Sequence, residues 1–237
     1  MAGHNKWSKI KRDKGANDAK RGAVFTRLGN QIAVAAKAGA DPTMNPSLQM
    51  AIEKARASNM PKDNIQRSID RAADKSAAQL EEVTYEGYGP AGVGIIIETA
   101  TDNKNRTLPE VKTALVKNGG RIADAGSVMF QFERKGVIQL EEIGEETLLS
   151  VLEAGAEDAV EEAGEMTVYT EQKDLMKVRT HLIEAGLTVS DAELQYVPNI
   201  NVEVTDEETA NKIIKIMDAL EDLDDVVNVS TNANLPD

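Results

Sequence analysis

The chain has 237 residues, with 27 Lys and Arg against 40 Asp and Glu, a formal charge of −13, and no cysteine. Disulfides and thiolate metal sites are therefore excluded, and an apolar content of 41 % is too high for a disordered polymer. Only 3 % of the residues are aromatic, so any core must be built from Ala, Val, Ile and Leu.

Taken in chain order, Val24, Leu28, Ile32 and Ala35 recur at spacings of four, four and three, which predicts a helix over residues 17–38. Gly39 and Asp41-Pro42 end it. Pro46-Ser47 opens a second helix with Leu48, Ile52 and Ala55 on one face, and Asn59-Met60 breaks it. Pro61 sits in the first turn of a third helix that carries Ile65, Ile69 and Ala72 inward. Three short helices with small core residues predict a bundle.

Past residue 80 the pattern changes. A glycine-rich stretch at 87–92 reads as a turn with positive-φ glycines, leading into a β-branched strand at 93–99. A helix is expected at 108–118, with Val111, Leu115 and Val116 apolar, closed by Gly119-Gly120. Alternation of Val128, Phe130 and Phe132 against Met129 and Gln131 predicts a half-buried strand at 127–134, and residues 137–140 a further one. Three helix-then-strand units follow: 145–154 with 166–169, 172–185 with 187–189, and 207–220 with 226–229. The fold class expected is multidomain α+β, a three-helix bundle followed by two sheet domains with helices on one face. The divisions expected are a basic helical domain at 1–78, an α+β domain at 79–134 plus 200–237, and an acidic α+β domain at 135–199 inserted in it, because Val202 starts a new strand after Pro198-Asn199.

Charge is split along the chain. Residues 1–75 carry 15 basic and 7 acidic side chains, a balance of +8, while residues 76–237 carry 12 basic and 33 acidic, a balance of −21. Such asymmetry points to an anion-binding module attached to an acidic body. The basic residues cluster. Lys6, Lys9, Lys11, Arg12, Lys14, Lys20 and Arg21 crowd the first 21 positions, with His4 beside them placed for phosphate contact. Arg67, Arg71 and Lys75 stand four apart on the third helix, and Arg27 is seven after Lys20 on the first. Trp7, the sole tryptophan, either stacks on a base or sugar or anchors the arm to the bundle. So few aromatics argue against a stacking reader of single strands and favour duplex or folded RNA held by phosphates and shape.

Motifs of catalysis are missing. The two histidines, His4 and His181, form no metal-binding pattern, no GxSxG elbow occurs, and the glycines at 87–94 lack the lysine and helix of a phosphate loop. The acidic run at 222–225 does not follow an EF-hand spacing and reads as a solvated helix end. No enzyme activity, cofactor, metal or small-molecule substrate is expected. No apolar run follows the charged start or reaches the ~20 residues of a spanning helix, so neither a secretory leader nor a membrane partner is expected, and the location expected is cytoplasmic.

Several stretches resemble one family in order along the chain. Met-Ala-Gly-His-Asn-Lys-Trp-Ser-Lys-Ile-Lys at 1–11, Asp18-Ala19-Lys20-Arg21-Gly22 and Phe25-Thr26-Arg27-Leu28 look like the start of the YebC/PmpR family. The likeness continues through Asn59-Met60-Pro61-Lys62-Asp63-Asn64-Ile65, Tyr85-Glu86-Gly87-Tyr88-Gly89-Pro90 and Thr101-Asp102-Asn103-Lys104-Asn105-Arg106-Thr107. Lys117-Asn118-Gly119-Gly120, Gly126-Ser127-Val128 and Phe132-Glu133-Arg134-Lys135-Gly136 complete it; Arg12-Asp13 departs from the family's common His-Arg pair. The resemblance implies three domains, the third nested in the second. It also implies regulation of gene expression, either as a DNA-binding transcriptional regulator or as a ribosome-associated factor that contacts ribosomal RNA or tRNA and eases stalls at proline-rich stretches.

Overall fold

The computed structural model describes residues 18–73, 80–162 and 164–236, with side chains from residue 22 onward. The fold is α+β, as expected: a helical bundle, then two sheet domains, one nested in the other.

The bundle consists of α1 (Asp18–Ala36), α2 (Pro46–Ala57) and α3 (Lys62–Ala73). Asn45 caps α2 by accepting a hydrogen bond from the Leu48 amide, and Pro46 occupies the first helical position, where a missing N–H costs nothing. Leu28, Ile32, Leu48, Ile52, Ile65 and Ile69 meet in its core, so the helical spacing read from the sequence is the buried stripe.

The second domain contains β1 (Glu81–Tyr88), β2 (Gly94–Thr101), α4 (Lys104–Lys117), β3 (Arg121–Ala123), β8 (Val202–Glu203), α7 (Glu207–Glu221), β9 (Val226–Thr231) and β10 (Ala233–Asn234). Its sheet runs β3-β1-β2-β9, all antiparallel, and β8 pairs with β10 beside it. Ile95 and Ile97 of β2 pack on Val111, Leu115, Ile213 and Met217 of the two helices. Ile96 points the other way, onto Val128 and Phe132. Burial of both faces explains why β2 is a continuous apolar run instead of an alternating one.

The third domain contains β4 (Phe132–Leu140), α5 (Glu145–Ala154), β5 (Asp158–Glu162), β6 (Glu165–Glu171), α6 (Leu175–Glu184) and β7 (Val189–Pro198). Its antiparallel sheet has the order β5-β6-β4-β7. Ile138, Leu140, Met166 and Val168 meet Val151, Val178 and Leu182 of its helices. At Gly136 in β4 a Cβ would lie 2.9 Å from Leu175 Cβ, so only glycine lets α6 come this close. The domain leaves and rejoins its host through neighbouring strands: Phe132 is in register with Pro198, and the Asn199 amide donates to Gln131 O at 2.8 Å.

Three local expectations are corrected. The strand expected at 127–134 begins only at Phe132, because Met129–Gln131 form a single 3₁₀ turn that swings Phe130 outward to 68 % exposure. The stretch at 87–92 is not a turn throughout; Gly87 and Tyr88 pair within the sheet, and only Ala91 and Gly92 take positive φ. Val116, expected with the apolar face of α4, is exposed.

Candidate nucleic-acid interface

The turn between α2 and α3 is built by its sequence. The Asn59 amide bonds to Arg56 O and the Met60 amide to Ala55 O, both at 2.9 Å, the paired closure of a helix C-terminus. Asn59 supplies the left-handed residue (φ 58°), a conformation asparagine tolerates better than most. Met60 then buries itself in the bundle core, and Pro61 directs the chain into α3. This corner displays Arg56, Lys62 and Arg67, all exposed and, among the described residues, without a carboxylate at ion-pair distance. Arg67 is oriented by Asp63 O (3.2 Å) and Asn64 Oδ1 (2.6 Å), both acceptors, which leaves its charge uncompensated.

Beside the corner a shallow cleft of about 280 Å³ opens between α1 and α3, lined among others by Phe25, Asn30, Asn64, Arg67 and Arg71. A Cβ at Gly29 would sit 2.9 Å from Ser68 Oγ, so the glycine permits the close crossing of the two helices. Asn30 forms the polar floor: its Oδ1 accepts from Arg71 at 3.3 Å and its Nδ2 donates to Asp224 O at 3.0 Å.

Among the described residues, other cations of the bundle hold it to the neighbouring domains. Arg27, only 17 % exposed at its side chain, pairs with Glu221 at 3.6 Å. Arg71 reaches Asp102 at 3.6 Å but stays partly exposed. Gln31 donates to Val227 O at 3.1 Å, and Lys37 to Leu80 O. On the side of the third domain, Lys54 bridges Asp191 (3.1 Å) and Glu193, and Arg179 pairs with Glu53 at 2.5 Å. Burial opposes the Lys54 charge, but Glu193 and Asp191 outweigh it and push the ammonium above its ordinary range. These polar contacts dock the bundle, together with Met50 of α2, which packs against the apolar core of the third domain.

Two motifs of the family resemblance resolve into scaffolding. Asn103 caps α4 by accepting from the Arg106 amide. Asp225 accepts from Arg106 (2.7 and 2.8 Å), Thr107 (2.6 Å) and Thr101 (2.9 Å). Burial alone would raise its carboxyl, yet these donors and the Arg106 charge hold it below the usual carboxylate range. Asp225 is 6 % exposed, so the reading of 222–225 as a uniformly solvated helix end is corrected. Glu86, also buried, accepts from the amides of Gly126 (2.5 Å), Val128 (2.6 Å) and Met129 (2.8 Å), and so fixes the loop before the 3₁₀ turn.

Of the residues singled out by sequence, His4, Lys6, Trp7, Lys9, Lys11, Arg12, Lys14 and Lys75 lie outside the described residues. Lys20 and Arg21 stand in the first turn of α1. Arg67 and Arg71 share the cleft, whereas Arg27 faces α7. Arg56 and Lys62 were missed, although their positions on either side of the Asn59-Met60-Pro61 break signal a shared corner. His181 is exposed on α6, and among the described residues no group of His, Asp and Glu is placed to hold a metal ion. No described helix is long and apolar enough to cross a membrane.

A basic helical head clamped to an acidic pair of nested α+β domains defines a class of modular three-domain proteins. Residues 5–75 match the "TACO1/YebC protein N-terminal domain" and residues 80–233 the "TACO1/YebC second and third domain". The chain belongs to the TACO1/YebC family. It is 46 % identical over 244 residues to a "probable transcriptional regulatory protein" of Halothermothrix orenii, covering 100 % of this chain and 96 % of that one. A protein of the same name from Maridesulfovibrio salexigens is 47 % identical over 241 residues, covering 100 % and 97 %. A crystal structure titled as a conserved hypothetical protein, Aq1575 from Aquifex aeolicus, superimposes with a TM-score of 0.86 at 41 % identity, covering 93 % of each chain.

Proposed function

We propose that the protein is a non-enzymatic regulator of gene expression that binds nucleic acid through its basic N-terminal domain in the cytoplasm. The observation that carries this reading is the cationic corner of Arg56, Lys62 and Arg67, on a domain of charge +8. Side chains with free positive charge and room to reach are what a phosphate backbone requires. The names of the relatives, transcriptional regulatory proteins, support the narrower reading of a DNA-binding transcriptional regulator.

One observation favours a second reading, a ribosome-associated translation factor contacting ribosomal RNA or tRNA. The rest of the chain carries −21, which repels bare duplex but suits an environment where RNA alternates with basic protein.

Removing charge at Lys9, Lys11 and Lys14 together should weaken retention on nucleic acid and flatten its salt dependence by up to about one log unit for each phosphate no longer neutralised. An unchanged slope would sink the basic arm as the anchor. Sedimentation of the protein with ribosomes, against retention on duplex DNA at physiological salt, separates the two readings. Free migration in the gradient with tight, sequence-selective hold on one duplex establishes the first; the reverse establishes the second.

A further inference from the structure

Helix α5 is apolar on both sides. Thr147, Val151 and Ala154 face the core of the third domain. On the opposite side Leu148, Leu149 and Leu152 are exposed, the last two at 60 % and 56 %, and Ile183 is exposed on the packed neighbour α6. A surface helix normally carries one apolar stripe, and a helix hydrophobic all round belongs in an interior. Ile143 and Leu148 are spaced as residues that clasp the start of a helix, with Gly144 as its cap, which gives those two a local role. No such role exists for Leu149 and Leu152. With Leu148 they stand at the i, i+1 and i+4 positions through which a helix meets a partner helix.

The surroundings select the partner. Residues 135–199 carry 15 acidic and 4 basic side chains. Glu145, Glu146, Glu153 and Glu184 are exposed around the leucines. Of the four cations, Lys135, Lys173 and Arg179 are ion-paired, which leaves Lys177. A rim of this sign repels nucleic acid and anionic lipid and attracts a cationic surface. From this we infer that the outer face of α5 docks a lysine- and arginine-rich amphipathic helix of a partner protein, its apolar side on Leu149 and Leu152 and its cations on the glutamates. This face lies on a different domain from the cationic corner, so it does not depend on the nucleic-acid reading.

The test uses the full chain and a synthetic amphipathic peptide of leucine and lysine in helical register, with binding followed by fluorescence anisotropy. The wild-type protein should bind it. Leu149→Ser with Leu152→Ser, which leaves every charge in place, should weaken binding by about tenfold or more, as expected when two anchoring leucines leave an interface. Retention of nucleic acid by the same variant should be unchanged, so this docking fails or survives independently of the N-terminal domain. Both substitutions are at the surface, and an unchanged circular dichroism melt checks the fold. Equal affinity for the variant, or equal binding of a lysine–serine peptide of the same charge, would reduce the face to a nonspecific acidic surface and overturn the inference. So would self-association of the wild-type chain that the double variant abolishes, or adsorption to phosphatidylserine vesicles through the same leucines.

Discussion

Replacing Asp225 by alanine withdraws one enclosed carboxylate from three donors at once. A hydrogen bond to a charged group contributes about 1.5–3 kcal/mol, but the three losses do not simply add. Thr107 has fallback acceptors in Asn103 O (3.1 Å) and Thr101 Oγ1 (2.7 Å), and Arg106 keeps Asp102 at 3.2 Å. Arg106 is also nearly half exposed, which places its share at the low end. The net cost is therefore about 2–4 kcal/mol, read as a lowered urea midpoint at unchanged slope. Asp225→Asn should cost less, since one acceptor oxygen remains. The pH dependence has a definite sign. A carboxyl held below its ordinary range contributes stability that is fully present above about pH 4 and is lost as pH falls through the folded value. The gap between wild type and Asp225→Asn should accordingly narrow below about pH 4. Nucleic-acid affinity per folded molecule should not change. A loss under about 1 kcal/mol, or a gap that widens in acid, would refute the scaffolding role assigned to the motif at 101–107.

Other consequences are open to equally direct measurement. Arg67→Ala with Arg71→Ala should reduce the slope of log affinity against log salt by about one unit for each phosphate these side chains neutralise; an unaltered slope would remove the cleft from the interface. Glu86→Gln should speed hydrogen exchange at the amides of Gly126, Val128 and Met129 by about tenfold or more, with most other amides unaffected, because one neutral acceptor replaces a carboxylate serving all three. Lys54→Met leaves Asp191 and Glu193 facing each other and should cost about 1–3 kcal/mol, a buried-pair value discounted because all three groups keep some solvent contact. The raised Lys54 ammonium contributes stability that is fully present below the ordinary lysine value and is lost only as pH climbs through the higher folded one. The stability gap between wild type and Lys54→Met should therefore narrow at the alkaline extreme.

The helices and the buried β2 were legible because their signals are local. Apolar residues at helical spacing in α1, α2, α3 and α7 are those found in the cores. Strand β1 carries a weak strand signal that was passed over: Val83 and Tyr85 alternate with Glu82, Thr84 and Glu86, but only two apolar residues mark it before the glycine-rich stretch, and Glu86 is buried as an acceptor, not for its apolarity. Ser127–Phe132 misled in the opposite sense: its alternation is that of a strand, while the pull of Glu86 on three amides winds it into a turn. At the candidate interface, composition located the basic domain, but it did not tell free charges from engaged ones. Arg27 reads like Arg67 in sequence; its partner Glu221 lies at the far end of the chain, and only tertiary structure joins them.

The nested lobe hangs from its host by two adjacent strands that already exchange a hydrogen bond at their roots, Asn199 to Gln131. Joining the chain across that gap needs only a tight turn, so excising the lobe costs the host little loop-closure entropy. A protein wired in this way can vary the lobe's outward face, while the residues that cover β2 (Phe132) and hold the bundle (Asp191, Glu193 and Arg179) are constrained by their neighbours.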